Sequence, residues 1–268
     1  MLAAARKDAL LERLRRDGRL VVKDVALDLG LSEDSIRRDL RELDAAGLAV
    51  RVYGGALPAS PAVADYDARG TVARSSKARV AAAAVELIEP GATVLLDGGT
   101  TTLALVEALP RSFAGTVITH SPTIAAALLN HEAEVIVIGG RVFKHSAVAC
   151  GSAAVEAAQR ISADIFFLGV TGVHPAAGLT TGDADEAAMK RVLAERAAET
   201  IVLASEEKLG AASRFGILPL DEVTGILADL DPAAPLTSDL RAAGARLLPC
   251  RPDDSTPKQP RSGVGGPL

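Results

Sequence analysis

Ser32-Glu33-Asp34-Ser35-Ile36-Arg37-Arg38-Asp39-Leu40-Arg41-Glu42-Leu43-Asp44-Ala45-Ala46-Gly47 decides how the N-terminal end of the chain folds. Ser32 is a natural N-cap, because its hydroxyl can accept from the free amides of a first helical turn. Ile36, Leu40 and Leu43 recur at i, i+4 and i+7, so they share the face that must pack inward. Ser35, Arg37, Arg38 and Arg41 are left toward solvent, and Gly47 ends the helix. Working backward, Ala5–Asp17 reads as a helix with Leu10, Leu11 and Leu14 on one face and Gly18 as its stop. Val22–Leu29 is a second, short helix, with Val25, Ala26 and Leu29 inward and Gly30 at its end. Working forward, Leu48–Tyr53 is a short strand, and Gly54-Gly55 makes the turn of a wing. Helix, short helix, turn and third helix are a helix-turn-helix, whose third helix enters the DNA major groove. Arginine on that helix can bond a guanine edge bidentately or pair with a phosphate. The plainer reading makes these arginines a solvated face with acidic neighbours; the surrounding architecture favours DNA. Ser32, Ser35, Arg37, Arg38, Arg41, Arg51 and Tyr53 are the expected contacts, and double-stranded operator DNA the expected partner.

Bulk charge does not announce this role. The chain carries a net charge of −5, and up to Leu57 it has 11 Lys and Arg against 10 Asp and Glu. The case therefore rests on where the cations sit. Apolar residues make up 49% of the chain, enough for a large core, and with aromatics at 3% that core must be built from Ala, Val, Leu and Ile. No apolar run reaches the roughly 18 residues that span a bilayer, and the start has charges where a signal peptide is apolar. Cys150 and Cys250 are too few for a disulfide framework and lack metal-ligand spacing. The expectation is a cytoplasmic protein without metal, cofactor or membrane partner.

Pro58-Ala59-Ser60-Pro61 breaks regular structure, so residues 1–57 form one domain and 58–70 read as a linker. From 71 to 250, short β-branched runs alternate with helical stretches. Thr93–Leu96, Val117–Thr119, Val135–Ile138, Ile165–Leu168, Ile201–Ala204 and Gly225–Ala228 are the strands. Ser76–Ile88, Thr101–Leu109, Pro122–Leu129, Ala153–Arg160 and Glu186–Ala197 are the helices. That alternation predicts a largely parallel sheet covered on both faces. Residues 251–268 are rich in Pro, Gly and Ser, and are expected to be a disordered tail. The fold class is α/β: an N-terminal winged helix-turn-helix plus a larger, mostly parallel α/β sensor domain.

Two loops of the larger domain carry chemistry. Asp97-Gly98-Gly99-Thr100-Thr101-Thr102 leads from a strand through a glycine turn into a helix. Free amides and the helix dipole there favour an anion, and the threonine hydroxyls add donors. Structural βα turns share that spacing. Gly169-Val170-Thr171-Gly172 follows another strand, with Asp185-Glu186-Ala187-Ala188-Met189-Lys190 further on. Glu186 and Lys190 stand at i, i+4 and could simply pair with each other. The functional reading puts Lys190 on a phosphate or sugar oxygen and Glu186 on a hydroxyl. Both loops fall at the C-terminal ends of strands, where open α/β sheets bind ligands. His120, at another strand end, is most simply a hydrogen-bonded structural residue.

The run 32–43, with Gly47-Leu48 and Arg51-Val52-Tyr53-Gly54-Gly55-Ala56, resembles the DNA-binding module of DeoR-type bacterial transcriptional regulators, and the resemblance extends to Pro249. Tyr53 stands where that family usually has histidine. The larger domain is similar to the family's effector domain, whose fold is that of ribose-5-phosphate isomerase. The resemblance implies a regulator, most simply a repressor, of sugar metabolism genes, acting as a homodimer or higher homo-oligomer and controlled by a phosphorylated sugar. It places Asp97, Gly98, Gly99, Thr100, Thr101, Thr102, His120, Gly172, Glu186, Lys190 and Lys208 around the effector. Three departures point to an altered effector: Thr171 for the usual Asp, His120 for Asn, and Ser205-Glu206-Glu207 for Asp-Ser-Ser. Two alternatives stand beside it. A sugar-phosphate isomerase with a DNA-binding accessory needs a general base, and the loop after Leu168 has no carboxylate. An architectural DNA binder would use the large domain only to oligomerise.

Overall fold

The structure, a computed structural model, describes residues 3–61 and 66–250; the stretch expected to be disordered, 251–268, lies outside the described residues. The chain opens with α1 (Ala3–Asp17), β1 (Leu20–Val21), α2 (Val22–Leu29) and α3 (Glu33–Ala45), followed by β2 (Ala49–Val52) and β3 (Gly55–Pro58). Leu10, Leu14, Val25, Ile36, Leu40 and Leu43 form its core, as the 3.6-residue pattern requires. Ser32 caps α3, accepting from the Ser35 amide at 3.3 Å. One feature escaped the pattern: Asp39 is buried within α3, where Arg6 of α1 grips both its oxygens, Nη2 donating to Oδ1 at 3.0 Å. The wing is a three-stranded antiparallel sheet, β1-β3-β2. Gly55 permits it, since a Cβ there would lie 1.8 Å from the Leu20 carbonyl oxygen.

The larger domain runs α4 (Tyr66–Thr71), α5 (Arg74–Val85), β4 (Thr93–Leu96), α6 (Thr100–Ala108), β5 (Thr116–Thr119), α7 (Pro122–Ala127), β6 (Glu134–Val137), β7 (Arg141–Phe143), β8 (Val148–Cys150) and α8 (Ser152–Ala158). It continues with β9 (Ala163–Gly169), β10 (Gly172–His174), β11 (Gly178–Thr181), α9 (Ala184–Glu195), β12 (Ala197–Ala204), β13 (Phe215–Gly216), β14 (Gly225–Ala228), α10 (Pro235–Ala242) and β15 (Leu247–Pro249). Seven strands form one parallel sheet in the order β15-β14-β12-β9-β4-β5-β6. Successive residues of β9 feed opposite cores: Phe166 and Leu168 pack on one face, Ile165 and Phe167 on the other. The central strands are apolar through their middles, Val94–Leu96, Ile165–Leu168, Ile201–Ala204 and Gly225–Ala228, because both faces are covered there.

The strand order reverses at β4. From there the chain steps outward through β5 and β6, then returns to lay β9 on the other side of β4. The loops after β4 and β9 therefore part and leave a crevice at this switch point, the position where open α/β sheets hold ligands. Two antiparallel pieces, β7-β8 and β10-β11-β13, flank the crevice. Neither was read from the sequence, because most of their strands are broken by polar or glycine residues and all lack the β-branched apolar runs that marked the buried ones.

The stretch read as a linker is largely built in. Pro58 ends β3, and its carbonyl accepts from the Ala212 amide at 2.9 Å. Ala59 bridges Ala212 in parallel fashion, the Ser60 amide donates to the Ala212 carbonyl at 3.1 Å, and the Ser60 hydroxyl donates to the Thr171 carbonyl. α4 then packs near α6. The domains also touch at His174, which donates from Nε2 to the Gly18 carbonyl at 3.2 Å, and at Arg214, 3.4 Å from Asp44.

Candidate functional site

The residues expected to meet DNA lie on α3 and the wing, and their cations are not equivalent. Arg37 is engaged by Glu33 at 2.6 Å and Asp34 at 3.2 Å on its own helix. Arg38 and Arg41 are exposed and have no ion-pair partner among the described residues. Ser35 is half-buried one turn into α3, and the Ser32 hydroxyl is occupied in capping. Arg51 is exposed on β2, with its amide turned back to Asp44 at 3.4 Å; Tyr53 stands fully exposed at the tip of the wing.

In the larger domain, the crevice between the ends of β4 and β9 is organised around Asp97. This carboxylate is wholly buried and saturated. Oδ1 accepts from the Gly98 amide at 2.7 Å and faces His120 Nε2 at 2.8 Å; Oδ2 accepts from the Gly169 amide at 2.8 Å and Lys190 Nζ at 2.6 Å. Burial alone would raise its pKa, but the Lys190 charge and the His120 and Lys190 hydrogen bonds outweigh it and hold the carboxyl well below the usual range. Lys190, on α9, also donates to the Gly169 carbonyl at 2.7 Å and lies 3.3 Å from Glu186. Burial opposes its charge, yet Asp97 and Glu186 keep its pKa raised. Glu186 accepts from the Thr181 hydroxyl at 2.7 Å. The i, i+4 pair expected as the plain alternative is thus present, embedded in a larger network.

Toward the start of α6 the character changes. Gly98, Gly99 and Thr100–Thr102 form one wall; Arg69, Lys77, Glu207 and Lys208 form another. Lys208 donates to the Thr101 hydroxyl at 2.7 Å. Its burial, aided by the charges of Lys77, Lys190 and Arg69 and opposed by Glu207, pushes its pKa down to about 7. Lys77 donates to the Arg69 carbonyl at 2.6 Å and lies 3.7 Å from Glu207; burial lowers its pKa too. Arg69 donates to the His145 carbonyl at 2.6 Å. Three cations and one carboxylate thus surround the amides that open α6, the nine-residue helix whose dipole favours an anion.

Of the residues expected here, Gly98, Gly99, Thr100, Thr101, Thr102, Glu186, Lys190 and Lys208 line the cavity. Asp97 and His120 stand behind its wall: Asp97 spends every lone pair inside the protein, and His120 bridges it to the Ala149 carbonyl at 2.9 Å. Gly172 lies off the wall in β10, packed so closely that a Cβ would meet the Ala211 carbonyl oxygen at 2.4 Å. Pro61, Arg69, Val72, Lys77 and Ser146 were not anticipated, and Glu207 was marked only as part of a departure from the family pattern. Lys77 left a signal: it stands at i−3, i−4 and i−7 from Val80, Ala81 and Ala84, on the buried face of α5. Arg69 left none, being in a stretch read as a linker. Among the described residues no group of His, Cys, Asp and Glu is arranged to hold a metal ion, and no helix is long and apolar enough to cross a membrane.

Comparison with known proteins agrees with both halves. Residues 6–61 match the DeoR-like helix-turn-helix domain and residues 73–230 the DeoR C terminal sensor domain. The chain is 34% identical over 251 residues to a putative aga operon transcriptional repressor of Escherichia coli O157:H7, covering 91% of this chain and 92% of that protein. It is 32% identical over 252 residues to the HTH-type transcriptional regulator GlpR of Haloferax volcanii, covering 92% and 98%. Among solved structures, the full-length sorbitol operon regulator SorC of Klebsiella pneumoniae aligns over 86% of this chain and 96% of that one, at 15% identity and a TM-score of 0.40.

Proposed function

The chain belongs to the DeoR family of DNA-binding transcriptional regulators, and we propose that it is a repressor of carbohydrate genes, working in the cytoplasm and released from its operator by a phosphorylated sugar. The observation that carries this is the cavity at the head of α6. A phosphate monoester brings about two negative charges at neutral pH, and with Lys208 protonated the Arg69, Lys77 and Lys208 wall exceeds its lone Glu207 by that amount. Amides of Gly99–Thr101 and the threonine hydroxyls complete the cradle. Glu186, whose oxygens each keep a further lone pair, is then positioned for a sugar hydroxyl, while Lys190 holds it in place with N–H groups already given to Asp97, Gly169 and Glu186. The regulator reading also accords with the absence of a carboxylate in the β9–β10 loop, where isomerase chemistry would need a base.

Release follows from the connector. The free space in the cavity is about 30 Å³, room for a water or two and too little for a sugar phosphate. Part of the wall must therefore move, and Pro61, Arg69 and Val72 are the wall elements that belong to the segment leaving the wing. Ser60, next to Pro61, is bonded to Thr171, whose hydroxyl donates to the Thr180 carbonyl at 3.0 Å and to Ser213 at 2.7 Å. Ligand entry thus opposes the docked connector, and linkage makes effector and operator weaken each other.

The test is a melting scan of the full chain against free and phosphorylated sugars. A phosphosugar at 100 times its Kd is expected to add about 2.7 kcal/mol of stability, and Lys208→Met to reduce the gain without abolishing it. Lys208 must be protonated to meet the phosphate. Affinity is therefore expected to fall as pH rises above 7, by up to roughly tenfold per unit, and this dependence should vanish in Lys208→Met. A response confined to unphosphorylated sugars, or an affinity flat from pH 7 to 9, contradicts the assignment.

A helix-turn-helix of this kind reads two half-sites roughly 34 Å apart or a multiple of that, so at least two copies act together. The sensor domain offers a place for the second copy. Ile136 and Val137 are exposed on β6, the edge strand of the sheet, a combination that invites strand pairing. Sedimentation should find a dimer or larger, and Ile136→Lys with Val137→Glu should shift it toward monomer; an unchanged assembly would place the interface elsewhere.

A further inference from the structure

Glu207 stands apart from the other carboxylates of the cavity. Asp97 and Glu186 have donors on both oxygens, from Gly98, Gly169, Lys190 and Thr181. Glu207 has them on one. Its Oε1 accepts from the Ser205 hydroxyl at 2.9 Å and lies 3.7 Å from Lys77 Nζ. Its Oε2 is buried and has no donor among the described residues, although the side chain is only 8% exposed and lines the cavity. A buried carboxylate oxygen left without a donor is costly, and the cavity that Glu207 lines is the space in which a ligand can supply one.

We propose that Glu207 is a specificity-determining residue, whose free oxygen accepts a hydrogen bond from a hydroxyl of the effector close to its phosphate. This rests on the reading that the cavity takes a phosphate monoester. The position follows from the chain: Lys208, the next residue, bonds Thr101 at the head of α6, so Glu207 sits beside the anion cradle and not at the Glu186 end. A hydroxyl is chosen over an amine by charge, because Arg69, Lys77 and Lys208 share that wall and repel a second cation.

Small probes that share a phosphate and differ in the neighbouring group test this without knowledge of the natural effector. Calorimetric titration of the full chain with glycerol phosphate, propyl phosphate and 2-aminoethyl phosphate is the experiment. The wild type is expected to bind glycerol phosphate at least tenfold more tightly than propyl phosphate, consistent with a hydrogen bond to a charged acceptor, and to gain nothing from the amine. Glu207→Ala should bring the two neutral probes within about twofold of each other while leaving propyl phosphate binding intact or tighter. Glu207→Gln, which keeps an acceptor and the shape, should retain part of the preference; its melting temperature in buffer controls for folding. Equal binding of glycerol and propyl phosphate by the wild type, or a preference that survives Glu207→Ala, overturns the role of Glu207 while the phosphate reading stands. Preference for the amine overturns the choice of hydroxyl. Absence of binding by all three probes at millimolar concentration sinks the phosphate reading itself, and this inference with it.

Discussion

Arg38→Glu is expected to remove specific DNA binding by more than a hundredfold, measured by fluorescence anisotropy on a duplex selected from a randomised pool. Arg38 and Arg41 are the exposed α3 cations without an ion-pair partner among the described residues, so they meet DNA without first breaking an ion pair of that kind. A bidentate contact to a base edge contributes about 1–3 kcal/mol of discrimination, so Arg38→Ala alone should weaken binding roughly 10–100-fold. Reversal of charge adds repulsion from the phosphates. Arg37→Ala should do far less, because Glu33 and Asp34 already hold that guanidinium. Salt dependence separates the two kinds of contact. Loss of a phosphate contact lowers the slope of log K against log salt by about one, whereas loss of a base contact relaxes sequence preference. If Arg38→Ala and Arg41→Ala both bind within threefold of the wild type with an unchanged slope, α3 is not the reading helix.

The largest stability effect should come from Asp97→Ala. It strips the Lys190 charge of its main partner in a place where that charge is 3% exposed, and leaves the Gly98 and Gly169 amides and His120 without their acceptor. Breaking a buried pair by removing one member costs about 3–5 kcal/mol, which for a domain of this size lowers Tm by roughly 6–20 °C. Because folding depresses the Asp97 pKa, its contribution is fully present above the unfolded value of about 3.9. It is lost as pH falls through the folded value. The wild type should therefore lose more stability than Asp97→Ala between pH 5 and pH 2, and the gap between them should narrow in acid. Asp97→Leu combined with Lys190→Met should recover much of the loss, since an apolar pair removes the buried charges together. A melt of Asp97→Ala within 1 °C of the wild type would show that the network is not what joins β4, β9 and α9.

Much of this was legible in order of sequence range. The helix-turn-helix could be read because its helices, caps and glycine stops are local: Ser32, Ile36, Leu40, Leu43 and Gly47 carry their own spacing. The six strands that were read and the loop 97–102 were visible for the same reason, short apolar runs alternating with helical stretches and, after Leu96, a glycine turn. So were the departures at Thr171 and Ser205–Glu207, which need only be seen to differ. The rest required the third dimension. Nothing in the sequence around Asp97 says that Gly169, His120 and Lys190 converge on it; that follows from β9 returning beside β4. Arg69, Lys77 and Glu207 became one wall only because α4, α5 and the turn after β12 meet over the head of α6. Ser60 became a link between wing and cavity only once β3 ran on to Ala212. Helix periodicity, capping and turn chemistry act over a few residues and are written in the chain. Which loop faces which across a parallel sheet is set by strand order, and strand order emerges when distant hydrophobic faces are buried together.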